Sequence, residues 1–136
     1  VAGQALGVTI CYEDAYGSMQ LDVLREATLL VNVTNDAWFG DSTAPHQHLQ
    51  ISRMRALEAG RSLLRGANDG ITALIAHDGT VVNSLPQFRP GVLTGSVVPR
   101  TGLTPYARTG NLPVLGVCFL FVIGSLGWAR IRSRRA

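Results

Sequence analysis

The residues that decide the fold are numbers 6 to 14, which read Leu-Gly-Val-Thr-Ile-Cys-Tyr-Glu-Asp. Leu6 to Ile10 form an apolar run of β-prone residues, which is typical of a buried parallel strand. Cys11 follows this run directly, and acidic residues that favour a helix start come immediately after it. The pattern predicts a strand that ends at Cys11 and turns at once into a helix. We therefore expect an α/β fold.

A turn from strand to helix would give the Cys11 thiol the surroundings of a nucleophile. The turn lifts the side chain out of the sheet and places the unpaired backbone N–H groups of a helix start around the sulfur atom. These groups favour the thiolate over the thiol, and they can bind the oxyanion of an acyl-transfer intermediate. Position alone also allows a simpler role, because a free cysteine is often a small buried hydrophobe.

A second apolar strand is predicted at residues 29–33, after a helix over about residues 21–27. A strand, a helix and a strand with short connections form a βαβ unit, so the second strand should be parallel to the first. Both strands should then end at the sheet edge that carries Cys11, and the loop at residues 34–42 should face the thiol. The same loop could instead be a polar turn whose two aromatic residues pack in the core.

A helix over about residues 42–60 and three more strands are predicted downstream. On a 3.6-residue wheel, Ile51, Met54 and Leu57 share an apolar face of this helix. The strands are predicted from apolar runs, and an Asp-Gly pair predicts a hairpin turn between the first two of them. These strands cover residues 71–76, 80–83 and 92–98, with the hairpin turn at residues 78–79.

Three ionisable side chains of the predicted helix have structural interpretations. Glu58 falls on its apolar face and should form an ion pair with Arg55 or Arg61, each three residues away. A role in a functional site is the alternative for this glutamate. His46 and His48 lie in the first turn and project in different directions, so solvated or capping roles are expected for both rather than a shared metal.

The composition limits the kind of protein. At 136 residues with 46% hydrophobic content, the chain has the size of one domain with a core. All 12 basic residues are arginines and four lie in residues 130–136, so the net charge of +3 describes a tail and not a nucleic-acid-binding face. The two cysteines, Cys11 and Cys118, should not form a disulfide. No Cys/His spacing indicates a metal, and no cofactor is expected.

Residues 112–129 are uncharged, and arginines occupy four of the next six positions. A helix of this length is about 27 Å long, close to the ~30 Å hydrocarbon core of a bilayer. A buried core helix could be equally apolar, but such an arginine cluster would rarely follow it. We predict a transmembrane helix at residues 109–129 with Trp128 as an interface anchor, between a domain at residues 1–108 and a basic cytoplasmic tail at residues 130–136.

Three motifs together resemble the nitrilase superfamily of carbon–nitrogen hydrolases. Cys-Tyr-Glu at residues 11–13 follows an apolar strand, and Asn-Val-Thr-Asn-Asp-Ala-Trp-Phe-Gly follows at residues 32–40. Gly-Leu-Thr-Pro-Tyr-Ala-Arg at residues 102–108 is similar to the membrane-bound branch, the apolipoprotein N-acyltransferases. The resemblance covers the whole chain. It implies roughly the C-terminal quarter of an enzyme, namely the C-terminal part of a nitrilase-like αββα sandwich followed by one transmembrane helix.

The resemblance also implies roles for individual residues. Cys11 would be the nucleophile, Glu13 a further acidic residue that supports activity, and Tyr12 a pocket residue whose backbone N–H serves the oxyanion. A base glutamate and a lysine would lie before Val1, so we expect this chain alone to be inactive. Asn-Asp-Gly at residues 68–70 could be only a tight turn. The other pocket residues that the resemblance implies are Asn35, Asp36, Trp38, Phe39, Arg65 and Asn68.

The activity that the resemblance implies is an N-acyltransferase reaction in lipoprotein maturation. A fatty acyl chain would pass from a phospholipid to the cysteine as a thioester, and then to the N-terminal amine of a diacylglyceryl-cysteine apolipoprotein. The phospholipid, the apolipoprotein and the membrane would be the partners, with no nucleic acid. The whole protein would be multi-pass in the bacterial inner membrane, with its catalytic domain in the periplasm. The alternatives are a membrane-anchored amidase or nitrilase, and a nitrilase-like binding module without catalysis.

Overall fold

The computed structural model describes residues 3–133, which form one mixed β-sheet with helices. The predicted α/β class is confirmed. The strands are β1 (Leu6–Ile10), β2 (Leu29–Asn35), β3 (Leu63–Asn68), β4 (Thr72–Ile75) and β5 (Val81–Leu85). The α-helices are α1 (Ala44–Ala59), α2 (Pro105–Thr109) and α3 (Leu112–Ser133), and short 3₁₀ turns lie between several of these elements.

The strands follow one another across the sheet in chain order. Strands β1, β2 and β3 are parallel, whereas β4 and β5 are antiparallel to their neighbours. The predicted parallel pairing of the first two strands and the predicted hairpin at residues 78–79 are confirmed. Because parallel strands end at one edge, the register that sets Asn35 opposite Asn68 brings both residues to the edge that carries Cys11.

The predicted helix over residues 21–27 is wrong. The connection between β1 and β2 is built instead from short turns with 3₁₀ hydrogen bonds. Gly17 interrupts the segment and the β-branched Val23 disfavours a continuous helix, so the backbone hydrogen bonds close within single turns. These turns lie at Cys11–Ala15, Gly17–Gln20 and Val23–Arg25.

The predicted strand at residues 92–98 is also wrong, because this segment is not part of the sheet. Pro90 and Pro99 bracket it, and neither has an N–H to donate to a strand ladder. The Ser62 hydroxyl donates a hydrogen bond to the Val98 carbonyl of this segment at 3.4 Å. Its apolar run therefore lies on the surface of the described chain.

One face of the sheet is covered and the other is open within the described residues. The buried core on the covered face consists of Leu24, Leu30, Ala56, Ala59, Leu63, Ala73 and Ile75. On the opposite face Val8, Ile10 and Val33 are 56%, 61% and 45% exposed. A row of apolar side chains on a sheet requires a covering layer. The second sheet of the predicted αββα sandwich would cover this face.

Helix α1 does not present the predicted face to the sheet. Met54 and Leu57 are 40% and 48% exposed, so their apolar stripe with Ile51 is not the core face. Buried carboxylate and guanidinium groups of Asp14 and Arg65 lie beneath the helix and require polar partners, so a stripe of small and polar residues packs there instead. The buried positions of α1 are Pro45, His48, Ser52, Ala56 and Ala59.

Helix α3 is long and apolar enough to cross a membrane. Its 22 residues extend about 33 Å at 1.5 Å per residue. None of its apolar window is buried within the described chain. Cys118 is exposed on this helix and is, like Cys11, a free thiol, as predicted. Residues 134–136 of the predicted tail, with Arg134 and Arg135, lie outside the described residues.

Candidate active site

Cys11 directly follows β1 and is the first residue of the first 3₁₀ turn, and we call this sharp bend the Cys11 turn (residues 10–15). Its φ angle is +53°, in the left-handed region that residues other than glycine rarely adopt. The predicted turn at the strand end is therefore present. Strained backbone of this kind concentrates at functional sites, and a nucleophile on a strand-to-helix turn is a known catalytic arrangement.

The two residues after Cys11 have different surroundings. The Glu13 carboxylate accepts a hydrogen bond from the Ile10 N–H at 2.8 Å, so it braces the turn that carries the thiol. Tyr12 is 53% exposed, and its ring makes an edge-to-face contact with the ring of Tyr16. Tyr12 and Glu13 are therefore surface residues beside the thiol.

The loop after β2 brings several predicted site residues to the same sheet edge. Asn35 Oδ1 accepts hydrogen bonds from the Asn68 side-chain amide at 2.9 Å and from the Ala37 N–H at 3.2 Å. Trp38 is 84% exposed and Phe39 is 42% exposed, so the alternative that packs both rings in the core is wrong. All of these side chains lie on the surface where the parallel strands end.

Asp36 is placed below this surface and not on a pocket wall, since it is only 1% exposed. Its Oδ1 lies 2.9 Å from His48 Nδ1, and its Oδ2 accepts a hydrogen bond from Arg65 Nη2 at 2.8 Å. Gly70 packs against the carboxylate so closely that a Cβ at that position would overlap it. Fixed partners therefore enclose this carboxylate.

Asp14 is fully buried on the other side of His48. Its Oδ1 lies 3.0 Å from His48 Nε2, and its Oδ2 accepts a hydrogen bond from the Ser52 hydroxyl at 2.5 Å. Arg65 Nη1 lies 3.7 Å from that second oxygen. One histidine therefore bridges the carboxylates of Asp14 and Asp36.

Arg65 connects these carboxylates to the Cys11 turn. Its Nη1 donates to Asn32 Oδ1 at 2.7 Å and to Ser52 Oγ at 2.9 Å. The side-chain amide of Asn32 in turn donates to the Cys11 carbonyl at 3.1 Å. We call these hydrogen-bonded side chains the buried network, and its members are Asp14, Asn32, Asp36, His48, Ser52 and Arg65.

Only Asp36 and Arg65 of the buried network are among the site residues that the resemblance implies. The expectation that His48 is solvated or caps the helix is wrong, because this residue is 3% exposed. His46, by contrast, is exposed. The spacing of four residues between His48 and Ser52 puts both on one face of α1, and this spacing was the available signal for a polar buried stripe.

The predicted ion pair of Glu58 is confirmed with Arg55, whose Nη2 lies 3.0 Å from Glu58 Oε2. Burial raises the pKa of Glu58, and the Arg55 charge opposes that shift. Arg61 does not pair with this glutamate. It donates instead to backbone carbonyls, including that of Gly102 at 2.6 Å.

Opposing effects act on the pKa values of His48 and Arg65 in the buried network. Burial lowers the pKa of His48, but its hydrogen bonds to Asp14 and Asp36 outweigh burial and the nearby Arg65 charge, so the pKa is raised. Burial also lowers the pKa of Arg65 against the opposing effect of the two carboxylates, and a guanidinium still stays protonated. Among residues 3–133, no group of three His, Cys, Asp or Glu side chains is arranged to hold a metal ion.

The fold and the Cys11 turn fit one class of proteins. Residues 1–106 match the family model described as carbon-nitrogen hydrolase, and the chain belongs to the carbon–nitrogen hydrolase family. Two solved structures share its fold. An amidase from Nesterenkonia sp. has a TM-score of 0.53 and 24% identity, over 67% of this chain and 36% of that chain. Saccharomyces cerevisiae Nit3, a member of branch 10 of the nitrilase superfamily, has a TM-score of 0.51 and 17% identity, over 60% of this chain and 33% of that chain.

Two curated relatives show which group of proteins within this family the chain resembles. The chain is 51% identical over 140 residues to the apolipoprotein N-acyltransferase of Ralstonia nicotianae. The aligned region covers 100% of this chain and 26% of that protein. It is 50% identical over 134 residues to the apolipoprotein N-acyltransferase of Methylococcus capsulatus, and the aligned region covers 98% of this chain and 26% of that protein. The predicted resemblance is confirmed. The chain spans about a quarter of the length of these relatives.

Proposed function

We propose that this chain supplies the nucleophile-bearing part of an apolipoprotein N-acyltransferase. The reaction moves a fatty acyl chain from a phospholipid to the N-terminal amine of a diacylglyceryl-cysteine apolipoprotein. The observation that carries the proposal is Cys11, a cysteine in a strained turn at a strand end, in one chain with an apolar helix of 22 residues. The identity to two proteins named for this activity supports the choice of substrates.

In the first step the Cys11 thiolate attacks the ester carbonyl carbon of the phospholipid, and a C–S bond forms. The oxyanion of the tetrahedral intermediate accepts a hydrogen bond from the backbone N–H of Tyr12 in the Cys11 turn. The ester C–O bond then breaks, and the departing alkoxide takes up a proton and leaves as a lysophospholipid. The product of this step is an acyl thioester on Cys11.

In the second step the apolipoprotein amine attacks the thioester carbonyl, a C–N bond forms and the C–S bond breaks. The amine loses a proton and the thiolate of Cys11 is regenerated. A thiolate suits both steps because it is a good nucleophile and also a good leaving group. This chemistry also needs a base glutamate and a lysine, and another part of the full-length protein would supply the lysine, because all 12 basic residues of this chain are arginines.

The other site residues divide into a surface set and a buried set. The surface set borders the substrates, and Glu13 supports it by bracing the Cys11 turn through the Ile10 N–H. Asp36 and Arg65 act below the surface as positioning residues, because both are buried and hydrogen-bonded to each other. The surface set consists of Tyr12, Asn35, Trp38, Phe39 and Asn68.

The test of the activity uses the full-length protein, meaning a polypeptide of the relatives' length that contains this chain. It is incubated with phospholipid and a diacylglyceryl-cysteine peptide, and mass spectrometry should find a peptide that carries a third acyl chain. A membrane-anchored amidase would instead release ammonia from a primary amide and leave the peptide unchanged. A binding module without catalysis would do neither, and either result would refute the proposed function.

Helix α3 is assigned as a transmembrane helix of the bacterial inner membrane, with the catalytic domain in the periplasm. Alkaline phosphatase fused after Ala136 should be inactive and a fluorescent protein at the same position should be bright, because arginine-rich segments next to a span stay in the cytoplasm. As a matched control, phosphatase fused after Asn111, directly before α3, should be active. If phosphatase is active after Ala136 and inactive after Asn111, the topology is the opposite of the one proposed.

A further inference from the structure

We propose that His48 is a positioning residue for the nucleophile: as a doubly protonated imidazolium it joins Asp14 and Asp36 beneath the Cys11 turn, and loss of its proton loosens that turn. The catalytic part of this inference rests on the proposed function. The positioning part rests on the geometry of the buried network alone.

The charge state of His48 follows from its hydrogen-bond partners. Its Nδ1 lies 2.9 Å from Asp36 Oδ1, and its Nε2 lies 3.0 Å from Asp14 Oδ1. A neutral imidazole has one N–H, so it would donate to one carboxylate and turn a lone pair towards the other. Only the imidazolium donates to both carboxylates at once.

Each carboxyl group has a second donor besides His48. The second oxygen of Asp36 accepts a hydrogen bond from Arg65, and the second oxygen of Asp14 accepts one from Ser52. His48 therefore faces the first oxygen of each group, with one ring nitrogen towards each.

Charge balance supports the same conclusion. His48 is 3% exposed, and the side chains of Asp14, Asp36 and Arg65 are fully buried. The charges of two carboxylates, one guanidinium and one imidazolium sum to zero. A neutral histidine would instead leave one uncompensated negative charge in the interior. The ring of Tyr12, whose centroid lies 5.9 Å from that of His48, is the other titratable group that faces it among the described residues.

The network reaches the nucleophile by two routes. Asp14 belongs to the 3₁₀ turn that begins at Cys11, so His48 holds that turn directly against α1. Arg65 fixes Asn32, and Asn32 donates to the Cys11 carbonyl at 3.1 Å. Because Cys11 has an unfavourable φ angle, the turn depends on such surrounding contacts to keep its shape.

The sign of the pH effect follows from the raised pKa of His48. A raised pKa in the folded protein means that the imidazolium contributes its full stabilisation below the usual histidine pKa of about 6.5. This contribution is lost as the pH rises through the pKa of the folded state. The Cys11 turn should therefore loosen on the alkaline side.

The test compares the wild-type full-length protein with His48→Gln, in which the side chain is uncharged at every pH. With phospholipid and acceptor peptide, kcat should fall about 10- to 100-fold through misplacement of the thiol, with KM within about twofold. The wild-type kcat should decrease as the pH rises through the His48 titration, and the variant should lack this decrease. The unfolding midpoint should show the same contrast in pH dependence.

Two further variants make the comparison specific. His46→Gln alters an exposed histidine two residues earlier on α1 and should behave like the wild type. The double variant D14N/H48Q removes one buried charge of each sign, so it should recover part of the kcat that H48Q loses. If H48Q does not fold, the pH dependence of kcat is measured on the double variant instead and compared with that of the wild type.

A readout without substrate separates this inference from the proposed function. The rate of Cys11 alkylation by iodoacetamide is measured against pH from the mass of its peptide. In the wild type this rate should change as the pH rises through the His48 titration, and H48Q should lack the change, because its Cys11 turn no longer depends on that proton. If acyl transfer is absent but this contrast occurs, the proposed function fails and the His48 inference stands. The inference would be overturned if H48Q is less stable than the wild type but its Cys11 alkylation has the same pH dependence.

Discussion

Incubation of the full-length protein with phospholipid alone should add one fatty-acyl mass to the peptide that contains Cys11. The lysophospholipid leaves before the amine is used, so the acyl-cysteine accumulates when the acceptor is withheld. Neutral hydroxylamine should remove the added mass because the bond is a thioester. Intact-protein and peptide mass spectrometry, with and without hydroxylamine, measure both effects.

Substitution of the two cysteines provides the matched comparison. Cys11→Ala should abolish labelling and acyl transfer, and Cys11→Ser should abolish the hydroxylamine-sensitive adduct, because a serine hydroxyl lacks the low pKa of a thiol. Cys118→Ser should leave both intact, since Cys118 lies exposed on α3. An acyl group on Cys118, or normal transfer by Cys11→Ala, would show that Cys11 is only a structural residue.

Replacing Arg65 with methionine should lower the free energy of unfolding by about 3 to 5 kcal/mol, the usual cost of removing one partner from a buried ion pair. The variant would leave Asp14 and Asp36 with only His48 as a cation, in an interior where their side chains are fully buried. It would also release Asn32 from the hydrogen bond that orients it. Urea unfolding of the detergent-solubilised full-length protein measures the change.

Three comparisons test this explanation of the Arg65 effect. Arg89→Met alters an exposed arginine and should change the unfolding free energy by less than about 0.5 kcal/mol. Arg65→Lys keeps the charge but loses the planar fork that serves Asp36 and Asn32 together, so its cost should be intermediate. The double variant D36N/R65M should cost less than the sum of its single changes. A value for R65M within about 1 kcal/mol of the wild type would contradict the electrostatic role of the network.

The first two strands and the position of Cys11 could be predicted from local sequence, whereas strand β3 was not predicted. Apolar runs around Val8 and Val31 are short and β-prone, and their lengths fit strands better than helices. Parallel pairing then followed from chain connectivity, and it placed Cys11 and Asn35 at one edge. The connection at residues 21–27 was not predictable in the same way, because a few apolar residues fit either one helix or several turns.

The buried network could not be predicted because its partners are distant in sequence. Asp14 and His48 are 34 positions apart, and Asn32 and Arg65 are 33 apart. An apolar stripe is normally the buried face of a helix, but on α1 the polar stripe is buried because it meets the charged groups of Asp14, Asp36 and Arg65. The spacing of His48 and Ser52 therefore indicated a shared polar face of α1, but no local feature indicated that two distant carboxylates hold the histidine ring.

The open edge of β1 has a geometric consequence for the proposed function. Within residues 3–133, β1 pairs with β2 alone, and Val8 and Ile10 are exposed on its outer face. If another strand of the full-length protein pairs with this edge, a slip of one residue would present its opposite face, and a slip of two residues would shift its side chains by about 7 Å. The register of such a strand, set several residues away from Cys11, would then decide whether a proton-transfer group reaches the sulfur atom.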